Sequence, residues 1–325
     1  EAREKSRAGM RIFVREGSSA KNLKALIGLE DAFALCTDDK HADDLLRTGH
    51  MDHLLSMAVG EGKDPIDALR MATLNPARHY SLDGGSFEES RRANILVLDG
   101  LEDFLPRSVY FHGKEICRNG SLLARPKTLT RNMRVMNAKK IGPGHLNVVE
   151  KYRDHIIGAI DGELTTMHLH QGASMLADAQ KLAVIDRYEG KCLSCAYVKG
   201  FGLRGCAIAQ TIAHDSHNII ATGSDDWLIV EAVNGLIDLG GGIVARSPSE
   251  SIEIALDVSG LMSTMAPEDL GRKLGALDRF LSEHGAMMQN TVTTLSFMAL
   301  LVIPHLKLSD KGLFDVDSFK FIDKC

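Results

Sequence analysis

Two short apolar runs, residues 10–15 (MRIFVR) and 32–36 (AFALC), are separated by helix-forming residues 21–29 and followed by two more helical stretches, 41–60 and 64–74. That strand–helix–strand–helix order predicts an α/β arrangement of parallel strands joined by crossover helices. Two such units cannot close a barrel alone. The second run leads into Cys36-Thr37-Asp38-Asp39. Adjacent carboxylates at the C-terminal end of a buried strand stand where a barrel enzyme places its chemistry. There one carboxylate can hold a divalent cation and take the proton of an attacking water. Its neighbour points the other way and can accept a substrate N–H. A plainer reading also accounts for the pair, with either Asp capping the helix that begins near His41.

Composition narrows the function classes. The chain has 325 residues, 44% hydrophobic and 25% charged, with a net charge of −5 and no basic stripe, which disfavours nucleic-acid binding. No apolar run approaches the ~20 residues of a membrane-spanning helix. Cysteines at 36, 117, 192, 195, 206 and 325 are too sparse for a disulfide scaffold and point to a reducing, cytoplasmic compartment. Cys192 and Cys195 form a lone CxxC; a zinc ribbon needs a second pair, so two partly buried thiols or a redox pair are expected. The opening Glu-Ala-Arg-Glu-Lys is unlike a signal peptide and reads as the end of a helix running into Met10, as if the chain began inside a domain.

Further along, Ser18 or Ser19 is placed to cap the helix over 21–29. Asn75-Pro76 reads as the cap and first position of another turn. Strands are expected at 93–98 and 108–112, between turns at Asp99-Gly100, His112-Gly113 and Asn119-Gly120, making a small β module. Residues 121–145, with Pro126 and Gly142-Pro143-Gly144, read as a linker. A third unit from about 146 alternates strands (155–160, 182–186, 219–223, 243–245) with helices (226–239, 267–284), and Gly240–Gly242 forms a helix C-cap.

Other candidate groups each carry two readings. Glu16 and Ser18 close the first strand, where they can line a substrate pocket, or Ser18 can serve only as a cap. His41, His50 and His53 lie near the Asp pair, and His50 and His53 share a helix face as ordinary surface or supporting groups. His214, Asp215 and His217 are either a metal or substrate site or a hydrogen-bonded turn before strand 219–223. The chain's only HxH, His168-Leu169-His170, reads as surface or structural.

The runs VREGSSAKNL (14–23), LCTDDKHADDLL (35–46), GHMDHLL (49–55) and DPIDALRMATLNPARHYSL (64–82) closely resemble bacterial adenine deaminases of the amidohydrolase superfamily. The resemblance continues through KGFGL (199–203), AHDSHNII (213–220), AVNGLIDLGGGIV (232–244), SGLMS (259–263) and LKLSDKGLFDV (306–316), and so covers nearly the whole chain in order. It implies that residues 1–82 are the last strands and helices of a TIM barrel, with 10–15 as strand seven and 32–37 as strand eight. It implies a β-sandwich segment at 83–125, a linker at 126–145 and a C-terminal α+β domain at 146–325. By the same resemblance the activity is hydrolytic deamination of adenine, with Asp38 as metal ligand and proton shuttle and Asp39 on a purine ring nitrogen. One or two divalent ions are implied, manganese ahead of iron or zinc, in a complete protein that is a homodimer. The family's HxH, Glu and two further His fall before residue 1, so these residues alone should be inactive. A cyclic amide or modified purine as substrate, and a non-catalytic assembly module, are the alternatives. Where the family shows a Pro-Gly turn and an Asp, residues 85–97 carry neither, and Asn94 stands at the Asp position.

Overall fold

The computed structural model describes residues 1–124, 133–170 and 178–322. Pro126, in the expected linker, and Cys325 lie outside the described residues. The chain divides into two compact units, Glu1–Leu129 and Thr130–Cys325.

The first unit opens with α1 (Ala2–Arg7), then β1 (Ile12–Arg15), α2 (Leu23–Leu26) and β2 (Ala32–Cys36). β1 and β2 are parallel, pairing Val14 with Leu35 and Arg15 with Cys36. Helices α3 (Ala42–Thr48), α4 (Met51–Gly60), α5 (Pro65–Ala72) and α6 (Leu74–His79) follow. Val14 and Leu35 from the strands pack with Leu23, Leu54, Leu55, Ala58, Ala68 and Met71 in one core. Each fully buried Val, Leu or Met side chain there contributes about 1.5–3 kcal/mol. The expected single helix over 41–60 is two helices, because Gly49 adopts a left-handed φ of 86° and ends α3. Asp64 caps α5 by accepting from the N–H groups of Ile66 and Asp67, with Pro65 in the first turn.

Asn75 is not a cap. Thr73 holds the N-cap position of α6, and the Asn75 amide reaches back to donate to the Phe33 carbonyl at 2.8 Å, pinning β2. The β module is a four-stranded antiparallel sheet in sequence order, β3 (Ile95–Leu98), β4 (Pro106–Phe111), β5 (Lys114–Arg118) and β6 (Ser121–Leu122).

The second unit is built on one eight-stranded sheet. Its strands are β7 (His155–Ala159), β8 (Thr166–His170), β9 (Gln180–Ile185), β10 (Leu193–Lys199), β11 (Ala207–Gln210), β12 (Ile219–Gly223), β13 (Gly242–Arg246) and β14 (Ser251–Ala255). They are ordered β14-β13-β11-β12-β9-β10-β7-β8, so β8 is an edge. Every pairing is antiparallel except β10 with β7. Helix α7 (Asp226–Leu239) packs across β11, β12 and β13. Asp225 caps it by accepting from Leu228 N–H at 3.0 Å, and Gly240 ends it at φ 82°. Central β12 is buried along its whole length, and its one polar side chain, Thr222, donates its hydroxyl to the Lys181 carbonyl at 2.8 Å. Helices α8 (Pro267–Glu283) and α9 (Thr291–Phe297) and a three-stranded sheet, β15 (Leu306–Ser309), β16 (Gly312–Asp315) and β17 (Lys320–Phe321), complete the unit.

Residues 133–145, within the expected linker, lie against this sheet's layer. Ile141 is buried, and its N–H and carbonyl bond reciprocally to the Asn234 side chain at 2.9 Å each. Among the described residues no helix is long and apolar enough to cross a membrane.

Candidate active site at the end of strand β2

The two parallel strands remain bonded past their regular ends. Glu16 N–H donates to the Cys36 carbonyl at 3.0 Å, and Ser18 N–H donates to the Asp39 carbonyl at 2.9 Å. These bonds place half-buried Glu16 and buried Ser18 beside the Asp pair. Gly17, between them, lies so close that a Cβ built there falls 2.4 Å from Asp39 Oδ1 and 2.8 Å from the Thr37 carbonyl.

Asp38 turns the chain at a left-handed φ of 56°, a conformation that Asp tolerates better than most residues. The turn sends the two carboxylates to different environments. Asp38 is 55% exposed and pairs with the Arg15 guanidinium from the end of β1. The Asp39 oxygens are buried, and no other residue donates a hydrogen bond to them. Burial, and then the neighbouring charge of Asp38, raise the Asp39 pKa above the ordinary carboxylate value.

Supporting groups fix this geometry. The Ser18 hydroxyl accepts from His41 N–H at 2.9 Å and helps hold the Asp44 carboxyl below its usual pKa. Ser18 therefore ties the loop after β1 to the start of α3. It caps no helix of its own, since Asn22 stands at the N-cap of α2. His50 Nε2 lies 3.1 Å from the Thr37 hydroxyl, directly before the Asp pair. Arg15, Gly17 and His50 are the contributors that sequence reading missed or left undefined. Only the spacing of Arg15 and Gly17 about the strand end gave any signal of them.

The His214–Asn218 segment is a turn in the second unit. His214 Nδ1 lies 3.0 Å from the Ser296 hydroxyl, His217 N–H donates to the Ala213 carbonyl, and the carbonyls of Ser216 and His217 accept from Tyr188 and Arg187. Among the described residues the only group of three converging metal-type ligands is elsewhere, so His214, Asp215 and His217 do not assemble one. Burial holds the His217 pKa below its ordinary value, with His214 adding to the effect. The CxxC cysteines are free thiols; Cys195 is buried on β10, and desolvation pushes its pKa up to about 12.

Residues 6–137 match the amidohydrolase family, and residues 159–320 match the adenine deaminase C-terminal domain. Over nearly its whole length the chain is similar to adenine deaminases. It is 37% identical over 99% of its length to the adenine deaminase of Methanosarcina mazei, covering 63% of that protein. It is 39% identical over its full length to that of Sulfurovum sp., covering 62%. To that of Methanothermobacter thermautotrophicus it is 38% identical over 98% of its length, again covering 62%. The chain thus spans about three-fifths of the length of these curated relatives, and the likeness extends to archaeal as well as bacterial members. The amidohydrolase match implies a divalent metal. The end of β2 fits one, because the orphaned, buried Asp39 carboxylate beside Asp38 is a ready acceptor for a cation or an N–H donor.

Proposed function

We propose that the complete protein hydrolyses adenine to hypoxanthine and ammonia, with water as co-substrate. The observation that carries this reading is the Asp38–Asp39 pair. One carboxylate is open to solvent and the other is buried without a partner, in a chain whose residues 6–137 match the amidohydrolase family and whose residues 159–320 match the adenine deaminase C-terminal domain. A bound divalent cation supplies a water of lowered pKa. Asp38 holds the cation, takes the proton of the attacking water and passes it to the departing amine. Asp39, whose raised pKa suits it to sharing a proton with a basic ring nitrogen, orients the purine. Glu16 and Ser18 border the purine position.

The same reading makes residues 1–82 the closing strands and helices of a TIM barrel and 83–125 a β-sandwich segment. Residues 126–145 join these to a C-terminal domain over 146–325. Manganese is the proposed ion, with iron or zinc as substitutes. The complete protein is proposed to be a cytoplasmic homodimer that binds neither nucleic acid nor membrane.

The test uses protein made from the complete reading frame and loaded with Mn²⁺. Adenine absorbance should fall as ammonia appears, and Asp38→Asn should lower turnover by about a thousandfold. Undiminished turnover by Asp38→Asn removes that residue from the chemistry. Turnover of a cyclic amide or a modified purine, but not of adenine, reassigns the substrate.

A further inference from the structure

A second cluster of ligand-type side chains lies in the other unit, on the edge of the eight-stranded sheet. His155 begins β7, and His168 and His170 lie two residues apart on β8, so they share one face. The register pairs His155 directly with His170, which brings all three imidazoles to the same side of the β7–β8 pair. One ring nitrogen from each lies within 4.8 Å of the others, and His155 Nδ1 is 2.8 Å from His168 Nε2. Ring centroids are 5.0 Å apart for His155–His168, 4.4 Å for His168–His170 and 5.6 Å for His155–His170. The three are half-buried or exposed, so an ion reaches them from solvent.

We propose that His155, His168 and His170 form a binding site for a late first-row divalent cation. Three neutral imidazoles favour Zn²⁺, Cu²⁺ or Ni²⁺ over the oxygen-seeking Mg²⁺ and Ca²⁺. With metal–nitrogen bonds of about 2.0–2.1 Å, a tetrahedral ion sets its ligands about 3.4 Å apart. His155 and His168 need only part by about 0.6 Å, from 2.8 Å to that spacing, and the solvent-facing His170 rotates inward. The fourth position is left to water. Asp315 interacts electrostatically with both His155 and His168 and supplies counter-charge. Asp317 adds to that field while bonded to His305 at 2.6 Å. Binding clips the edge strand β8 to β7 through side chains as well as the backbone ladder.

The experiment loads tag-free, chelator-stripped full-length protein with Zn²⁺ by equilibrium dialysis and measures bound metal per chain. Wild type is expected to retain one equivalent more than His170→Ala, and its melting temperature to rise with Zn²⁺ where that of the variant does not. Equal zinc content in wild type and a folded His170→Ala overturns the site. A second measurement needs no substitution. Crystals of the wild type grown with Zn²⁺ should show a zinc-edge anomalous peak between the three rings, and no peak there overturns the proposal equally.

Discussion

Gly17 lies directly against the carboxylate of Asp39, with room for a hydrogen and none for a methyl group. A Cβ at that position falls 2.4 Å from Oδ1 and 2.8 Å from the Thr37 carbonyl, between the Glu16–Cys36 and Ser18–Asp39 backbone bonds that hold the two strand ends together. The φ of Gly17 is not in the left-handed region, so the constraint is space and not backbone conformation. Gly17→Ala should therefore cost about 1–3 kcal/mol, an overpacking penalty. The proposed adenine turnover should fall further than stability does, because the methyl displaces Asp39 itself. Urea midpoints and kcat/KM of the same preparation check this; unchanged values mean the loop yields without moving the carboxylate.

Asp39 should trade stability for function. Its pKa is raised by burial and by Asp38, so the folded state holds the proton to higher pH than the unfolded chain does. The stability contributed by the protonated form is full below the ordinary value of 3.8 and is lost as pH rises through the folded value. Asp39→Asn removes that loss. The variant should gain on wild type between pH 4 and pH 7 in urea titrations while losing adenine turnover. Parallel pH profiles for the two proteins would show that the fold does not raise the Asp39 pKa.

Which parts of the fold were legible follows from the range of the forces involved. Helix α7 is written locally: Asp225 caps it, an apolar stripe faces the sheet, and Gly240 ends it, so both ends match the expected 226–239. Strand β2 is likewise a continuous apolar run between polar residues. The break at Gly49 was not legible, because a glycine inside an amphipathic stretch ends a helix only when its backbone turns left-handed. Asn75 looked like a cap because Asn-Pro is a capping signal; its amide instead satisfies Phe33, 42 residues earlier. The Asp pair stood out as chemistry, but its division into an exposed member on Arg15 and a buried one under Gly17 depends on strand register. The same holds for His155, which gains meaning only when β7 and β8 pair and set it opposite His170. The strands β15 to β17 and residues 133–145 owe their places to packing between segments far apart in sequence.

Arg187 should prove among the most costly residues to replace in the second unit. It is 1% exposed, and its guanidinium donates to the carbonyls of Val135 at 3.0 Å and Ser259 at 2.8 Å, and also to that of His217. Three segments far apart in sequence are thus tied to one charge, and Gly260 leaves the space for it. Arg187→Leu orphans those buried carbonyls and should lower stability by about 3 kcal/mol or more. Arg187→Lys keeps the charge but not the fork, and should recover only part of that loss. Denaturant midpoints of both variants check the order; equal midpoints for Lys and wild type mean that charge alone suffices.

Lys307 gives the clearest pH signature. It is 0% exposed in β15, donates to the carbonyls of Leu164 at 2.7 Å and Phe297 at 3.0 Å, and is driven by desolvation from 10.5 to a pKa of about 7. Both the ammonium and the neutral amine can make two such bonds, so burial acts against the charge alone. Between the folded and unfolded values the unfolded chain binds more protons, and wild-type stability must rise with pH across that window. Lys307→Met removes the titration while orphaning two carbonyls at every pH. The difference between the two proteins should therefore shift in favour of wild type as pH rises from 7 to about 10, by a few kcal/mol in all. A difference that stays flat across that range would show that Lys307 remains charged in the fold, with its ammonium fully compensated by the two carbonyls.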